Sequence, residues 1–425
     1  MIRKFTIYNT FILLLLSGAA LFCQDKPVDM IDLDFLIKAA LENNPGLLDK
    51  QTSVEISEQG IQLNRSAILP QVDVNANTFL SNEYGNTERY LSASTGVSAS
   101  QMIWQNGRYR SLIMQSEYAF MADKWELEAE RQELTLQVKL LYFDLLKYRS
   151  LYDISLQNVA QAELYLEAAI EKKELGIGKE SDILKARSDL GDAEYLVKSM
   201  HYSIINAENG LSRLIGESIS GKNIRTGVDL VLSGNVFLAK DSLYSLALNN
   251  YPELNVMMNL QLSQDYSVKA EEASWFPVFS ANAGYNILSN PQIETPGIWS
   301  AGLTARWNVF DGYKRKTKIR TEKLKAQSLQ YQQEDLLLEL RREIDNRINA
   351  LIVANNQIKI SESLKKSTSE NLKVVEEEYR LGISSMLELS NAQVDDFEAS
   401  IKLVEAVAGY RMAYALIERA VGAEL

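Results

Sequence analysis

The chain has 425 residues, of which 46% are hydrophobic, with a net charge of −12, one His and one Cys. A single Cys excludes an intrachain disulfide or a Cys-based zinc site, and the lone His201, read as a partly buried residue of a helical pattern, offers no metal or acid–base centre. The acidic balance argues against nucleic acid as a partner, and neither a phosphate-cradling glycine loop nor a nucleophile elbow occurs. No catalytic residue, metal or cofactor is therefore expected.

At the N-terminus Arg3 and Lys4 precede an apolar run over 11–16, followed by Ser17-Gly18-Ala19-Ala20. That order of charge, apolar run and small residues predicts an export signal over 1–23. Cys23 is a candidate for lipid attachment, although Phe22 stands where such sites carry a small residue. The run is too short to span about 30 Å of hydrocarbon, and no other run is longer, so any membrane crossing has to be made by strands.

From 32 to 43 the pattern is a short amphipathic helix, stopped by Asn43-Asn44-Pro45, and a second helix runs from about 46 to 67, ahead of Leu69-Pro70. The period then changes from 3.6 to 2. Val72, Val74, Ala76, Thr78 and Leu80 alternate with Asp73, Asn75 and Asn77, and Leu91, Ala93, Thr95, Val97 and Ala99 alternate with Ser and Gly. This predicts a hairpin over about 70–104, its strands long enough to cross a bilayer when tilted.

Helical periodicity returns over 107–175, stops at Leu175-Gly176-Ile177, and resumes over 181–215. A helix of nearly 70 residues would be about 100 Å long, which no globular core requires. Two such helices joined by a glycine turn predict an antiparallel coiled-coil hairpin. Residues 217–240, rich in Gly and Ser, break the pattern and are read as a linker.

Everything then recurs. Pro252 lies 207 residues after Pro45, and Phe276-Pro277 lies 207 after Leu69-Pro70. A second hairpin is predicted over about 277–310, with long helices over 313–381 and 385–421 meeting at Leu381-Gly382-Ile383, 206 residues after the first such turn. The reading is one unit written twice, over 24–216 and 241–425. Four amphipathic strands cannot close a membrane barrel alone, because open edges in hydrocarbon leave backbone groups unpaired, so copies must pool their strands. The face carrying Leu91, Ala93, Val97, Trp299, Ala301 and Leu303 would meet lipid, and Trp104, Trp299 and Trp307 would sit in the interfacial belts.

Helix, helix, hairpin, long helix, glycine turn and helix, twice over, resembles the TolC-like outer-membrane efflux family. The paired marks that carry the resemblance are Pro70 and Pro277 at the strand starts, and the turns Leu175-Gly176…Asp182…Ala186 and Tyr379…Gly382…Glu388…Ala392. The resemblance implies a homotrimer, with a twelve-stranded β-barrel in the outer membrane continuous with an α-helical coiled-coil tunnel across the periplasm. It implies a passive exit duct that works with a periplasmic adaptor and an inner-membrane pump of RND or ABC type, for efflux or type I secretion. The helical tips would close the tunnel and meet the adaptor. Tyr379 stands where the family often has a Tyr bonding between coils, Asn391 where it often has a constricting Asp, and Ser384 where it can have Arg. A carboxylate ring would then have to come from Glu388, Asp182 or Asp395. The competing reading is a structural or adhesive envelope coiled coil without a pore.

Overall fold

The computed structural model describes residues 32–82, 89–219, 239–290, 293–294, 297–423 and 425. The export signal with Cys23, and most of the linker, lie outside the described residues.

Asp32 caps α1 (Leu33–Asn43) by accepting the amide of Phe35 at 2.9 Å. Asn44 caps α2 (Pro45–Ser66), with Pro45 in the first turn, and its amide donates to Leu214 O at 2.9 Å. Strands β1 (Gln71–Asn82) and β2 (Arg89–Trp104) lead into α3 (Arg108–Glu174, 67 residues) and α4 (Glu180–Ile215, 36 residues). Then come α5 (Lys240–Asn250), α6 (Pro252–Glu272), β3 (Val278–Asn290), the two-residue β4 (Ile293–Glu294) and β5 (Ile298–Arg306). The chain finishes with α7 (Lys314–Arg380, 67 residues) and α8 (Met386–Val421, 36 residues). At 1.5 Å per residue α3 and α7 are each about 100 Å long.

Two apolar cores sit midway along the long helices. Leu36, Val138, Tyr142, Leu145, Leu211 and Ile215 form the first, and Leu243, Leu340, Ile344, Tyr410, Ile417 and Val421 the second. Ion pairs join them: Lys139 of α3 reaches Glu418 of α8 at 2.7 Å, and Arg419 of α8 pairs with Glu253 of α6 and, at 3.5 Å, with Glu133 of α3. His201, expected to be partly buried, is instead exposed on α4, its ring lying 6.1 Å from that of Tyr152 on α3 and 6.0 Å from that of Tyr202.

The sheet is antiparallel in the order β1–β2–β3–β5, and β4 extends the tip of β3. Its register pairs Val74 with Val97, Val97 with Tyr285, Tyr285 with Trp299, and Ala281 with Leu303. Paired residues share a face, so most apolar positions of the four strands gather on one side, while Asn75, Gly96, Asn286 and Asn282 lie on the other together with Phe79, Leu288 and Ile298. Leu303 is 79% and Trp299 76% exposed. No helix among the described residues is long and apolar enough to cross a membrane.

Two details differ from simple alternation. Strict period 2 would put Trp104 on the polar face with Ser98 and Ser100. A bulge between Met102 and Trp104 pairs Trp104 with Phe279 instead, their rings 5.6 Å apart, which turns the indole to the apolar face. The last strand, expected to run to about 310, leaves the ladder after Arg306. Trp307 Nε1 donates to Trp275 O at 3.0 Å, and the buried Arg315 donates to Val309 O at 3.2 Å and pairs with Asp311, so these contacts replace the ladder.

Candidate functional site: the paired helical tips

The two turns at the far end of the long helices are built alike. After α3, Gly176 takes φ +75°, its amide donates to Lys173 O at 2.9 Å, and the Ile177 amide donates to Lys172 O at 3.0 Å. After α7, Gly382 takes φ +78°, its amide donates to Tyr379 O at 3.1 Å, and the Ile383 amide donates to Glu378 O at 2.8 Å. Both are Schellman turns, in which a left-handed residue lets the chain satisfy the last helical carbonyls before reversing. The glycines earn their place here by adopting that conformation without a Cβ penalty.

The following helices start differently. Ser385 caps α8 in a reciprocal box: its amide donates to Glu388 Oε2 at 2.7 Å, and its Oγ accepts the Glu388 amide at 3.3 Å. The Ser385 amide, together with its Oγ, which donates to Glu388 Oε2 at 2.9 Å, holds the exposed Glu388 carboxyl below its usual range. At α4, Lys179 makes no such cap, and Glu180 and Asp182 supply the negative charge that a helix N-terminus favours. Lys173 pairs with Glu180 across that turn.

The tips pack side by side within one chain. Tyr165 and Ala169 of α3, Ile183 and Ala186 of α4, Tyr379 of α7, and Met386 and Leu389 of α8 form one buried cluster. Lys172 binds the second tip: its Nζ lies 3.4 Å from the centroid of the Tyr379 ring and donates to Tyr379 O at 2.6 Å. Burial lowers the Lys172 pKa, opposed by nearby Asp182; burial raises that of Tyr379, and Asp182 adds to it.

One turn further from the end, the Tyr165 hydroxyl donates to Glu376 Oε1 at 2.5 Å, and Gln161 donates to the same carboxylate at 2.8 Å. Burial, reinforced by the Glu376 hydrogen bond, drives the Tyr165 pKa well above the ordinary tyrosine range. Ser390 of α8 donates to Asp189 of α4 at 2.7 Å, and Asp189 also pairs with Lys185 at 2.5 Å. Gln393 donates to Asn158 of α3 at 3.0 Å. Within the second hairpin, Asp396 takes Lys365 at 2.8 Å, Ser369 at 2.7 Å and Thr368 at 3.2 Å.

Of the residues expected at the tips, the structure brings Asp182, Tyr379 and Gly382 to this junction, with Gly176 at the neighbouring turn. Ser384 is half-buried and donates to Glu378 Oε2 at 2.8 Å. Glu388, Asn391 and Asp395 fall on one exposed face of α8, with Glu388 occupied as a cap. Lys172, Tyr165, Gln161, Glu376 and Asp189 were not expected. Their contacts run between hairpins about 200 residues apart in sequence, where no local spacing announces them; of the matched pair Ala186 and Ala392, Ala186 lies in the buried cluster. Pro70 and Pro277 stand immediately before β1 and β3, where a missing amide costs no ladder hydrogen bond. Trp299 opens β5 next to Tyr285, while Trp104 and Trp307 lie where the sheet meets the helices.

The sequence profile of the outer membrane efflux protein family matches residues 36–217 and again 243–423. The chain belongs to that family. It is 21% identical over 395 residues to the outer membrane efflux protein BepC of Brucella suis, covering 92% of this chain and 85% of BepC. It is 23% identical to the probable efflux pump outer membrane protein TtgC of Pseudomonas putida, covering 88% of this chain and 79% of TtgC. Among solved structures, the MtrE outer membrane channel of Neisseria gonorrhoeae in its open state superposes with a TM-score of 0.80 at 18% identity, covering 92% of this chain and 89% of MtrE. The Campylobacter jejuni CmeC outer membrane channel gives 0.78 at 18% identity, covering 92% and 85%. The chain is thus an outer-membrane efflux channel protein, reaching from the outer membrane into the periplasm.

Proposed function

We propose that three copies pool their sheets into a twelve-stranded barrel, continuous with a tunnel of long helices, and that this assembly is the passive exit duct of a tripartite efflux or type I secretion system. The observation that carries the reading is the four-stranded sheet, apolar on one face, polar on the other and open at both edges, leading directly into 67-residue helices. An open edge in hydrocarbon costs several kcal/mol per unpaired group, so closure by other copies is required, and eight is the smallest strand number of known bacterial barrels. A duct needs no catalytic residue. Substrate would be delivered by an inner-membrane RND or ABC-type pump through a periplasmic adaptor.

The matched helix lengths and the double profile match support an internally duplicated chain, with repeats over 24–216 and 241–425 joined by the linker 217–240. In this reading the paired tips are the periplasmic gate and the adaptor-contact surface, Gly176 and Gly382 forming its turns and Asn391 and Ser384 lying nearest the opening. Purified protein in planar lipid bilayers should give single-channel conductance steps; their absence would overturn the duct. Asn391→Asp and Ser384→Arg should each change the resting conductance if the tips form the gate.

A further inference from the structure

The protein as a whole carries a net charge of −12, yet residues 306–325, which leave the sheet and open α7, hold eight basic residues and two acidic ones. Three of the eight are engaged: Arg315 with Asp311, Lys323 with Glu272, and Lys325 with Glu322. Lys314, Lys316, Lys318 and Arg320 are exposed, and none has an ion pair among the described residues. The same stretch of α3, Arg108 to Met114, continues Ser111-Leu112-Ile113-Met114, so the fold at this height does not demand the charge.

The arrangement works against the helix that carries it. Cations in the first turns oppose the positive end of the macrodipole. Lys314 with Lys318, and Lys316 with Arg320, are like charges four residues apart, which repel. An anion bound there would relieve both. The place also specifies which anion. Trp307, Phe310 and Tyr313, 60%, 74% and 68% exposed, form an aromatic rim immediately before α7. Such rims lie at the membrane–water boundary. The first six residues of α7 rise about 9 Å. That is within reach of a headgroup layer some 5–7 Å thick, given the length of the lysine stem. Arg315 and Ile319 are buried, and Lys314 and Lys318 lie on one side of them, Lys316 and Arg320 on the other. A basic pair therefore faces the leaflet whichever of the two sides turns outward.

We propose that Lys314, Lys316, Lys318 and Arg320 form a docking site for anionic phospholipid headgroups on the periplasmic leaflet of the outer membrane. The inference rests on the sheet being the membrane-embedded part of the channel. A cation beside an anionic surface contributes about fivefold to association, falling off within a Debye length, so the site is salt-sensitive.

The test uses the full chain, purified in detergent with equal amounts of phosphatidylglycerol and phosphatidylcholine, the retained lipids being extracted and quantified by mass spectrometry. The parent should retain phosphatidylglycerol over phosphatidylcholine by at least fivefold, and high salt should erase the preference. The combined Lys314→Gln, Lys316→Gln, Lys318→Gln and Arg320→Gln variant should lose it, while a variant with Arg at the three lysines should keep it. Conductance steps of the glutamine variant in neutral bilayers establish that it is folded. A parent that conducts yet retains the two lipids equally overturns the site and leaves the channel reading standing. A glutamine variant that keeps the preference also overturns it.

Discussion

Lys172 is the cation through which the first helical tip grips the second. Its ammonium meets the Tyr379 ring and carbonyl together, and burial of its stem discourages the charged form, so the contact depends on those two partners. Lys172→Met keeps the stem and removes the cation; the loss of a charge-assisted hydrogen bond and a cation–π contact should cost about 1–3 kcal/mol locally. Amide hydrogen exchange at 173–179 and 379–384 should accelerate correspondingly, and an unchanged rate would show that the apolar cluster alone holds the tips. Asp396 makes a prediction with a pH axis. Burial pushes its carboxyl pKa up, but Lys365, Ser369 and Thr368 outweigh that and hold it below the usual 3.8. A depressed carboxyl stabilises the fold above its unfolded pKa and loses that contribution as pH falls through the folded value. Asp396→Asn should therefore lower the denaturation midpoint at pH 7, by the equivalent of about 1–3 kcal/mol for a hydrogen-bonded charge. The gap between variant and parent should close progressively below pH 3.8.

At the scale of elements, the two tips share a turn but not its tightness. Gly178 of the first turn brings its amide to Lys172 O at 2.9 Å, while Ser384, at the equivalent place in the second, reaches Glu378 O at 3.3 Å. A Cβ on Gly178 would lie 2.6 Å from Lys173 N and 2.8 Å from Lys172 C, both backbone atoms that cannot move aside. Gly178→Ser should therefore open the first turn towards the geometry of the second and speed protease cleavage there. Gly382→Ala, which meets nothing within 4 Å, should cost only the left-handed strain of about 1–2 kcal/mol. Much of this level was legible beforehand. Leu-Gly-Ile after a long helical period names a turn, and period-2 runs name strands and their faces, because both signals are local. The bulge that reorients Trp104 was not legible, since it is set by pairing with β3 some 180 residues away. The tip cluster was hidden for the same reason: Tyr165 and Glu376 carry no mark in sequence that they would meet. The early exit of β5 at Arg306 depends on Arg315 reaching back to Val309 and Ser274, a contact that alternation of side chains cannot foretell.

For the whole molecule the unanswered surface is the pair of free edges, β1 and β5, together with an apolar sheet face of which Leu303 is 79% and Val74 73% exposed. A monomer in water would present both an aggregation template and a large apolar patch, and a monomer in lipid would leave two strands' backbone groups unpaired. Cyclic pairing of β1 with the β5 of a neighbour satisfies both edges with a single heterologous contact repeated around an axis, and leaves the apolar face for lipid to cover. The natural Cys23 falls within the predicted export signal, so introduced cysteines report cleanly on this contact once it is replaced by Ser. One cysteine in β1, at Asn75, and one in β5, tested in turn at Ser300, Gly302 and Thr304 to sample register on the same face, should cross-link between chains under mild oxidation. Because each copy donates both edges, a closed ring yields covalent dimer and trimer bands with trimer as the upper limit. An open chain of copies would instead give a ladder that continues beyond it. A double-cysteine protein that stays monomeric at every register would mean that the edges are capped some other way, and the pooled-strand barrel would fall with it.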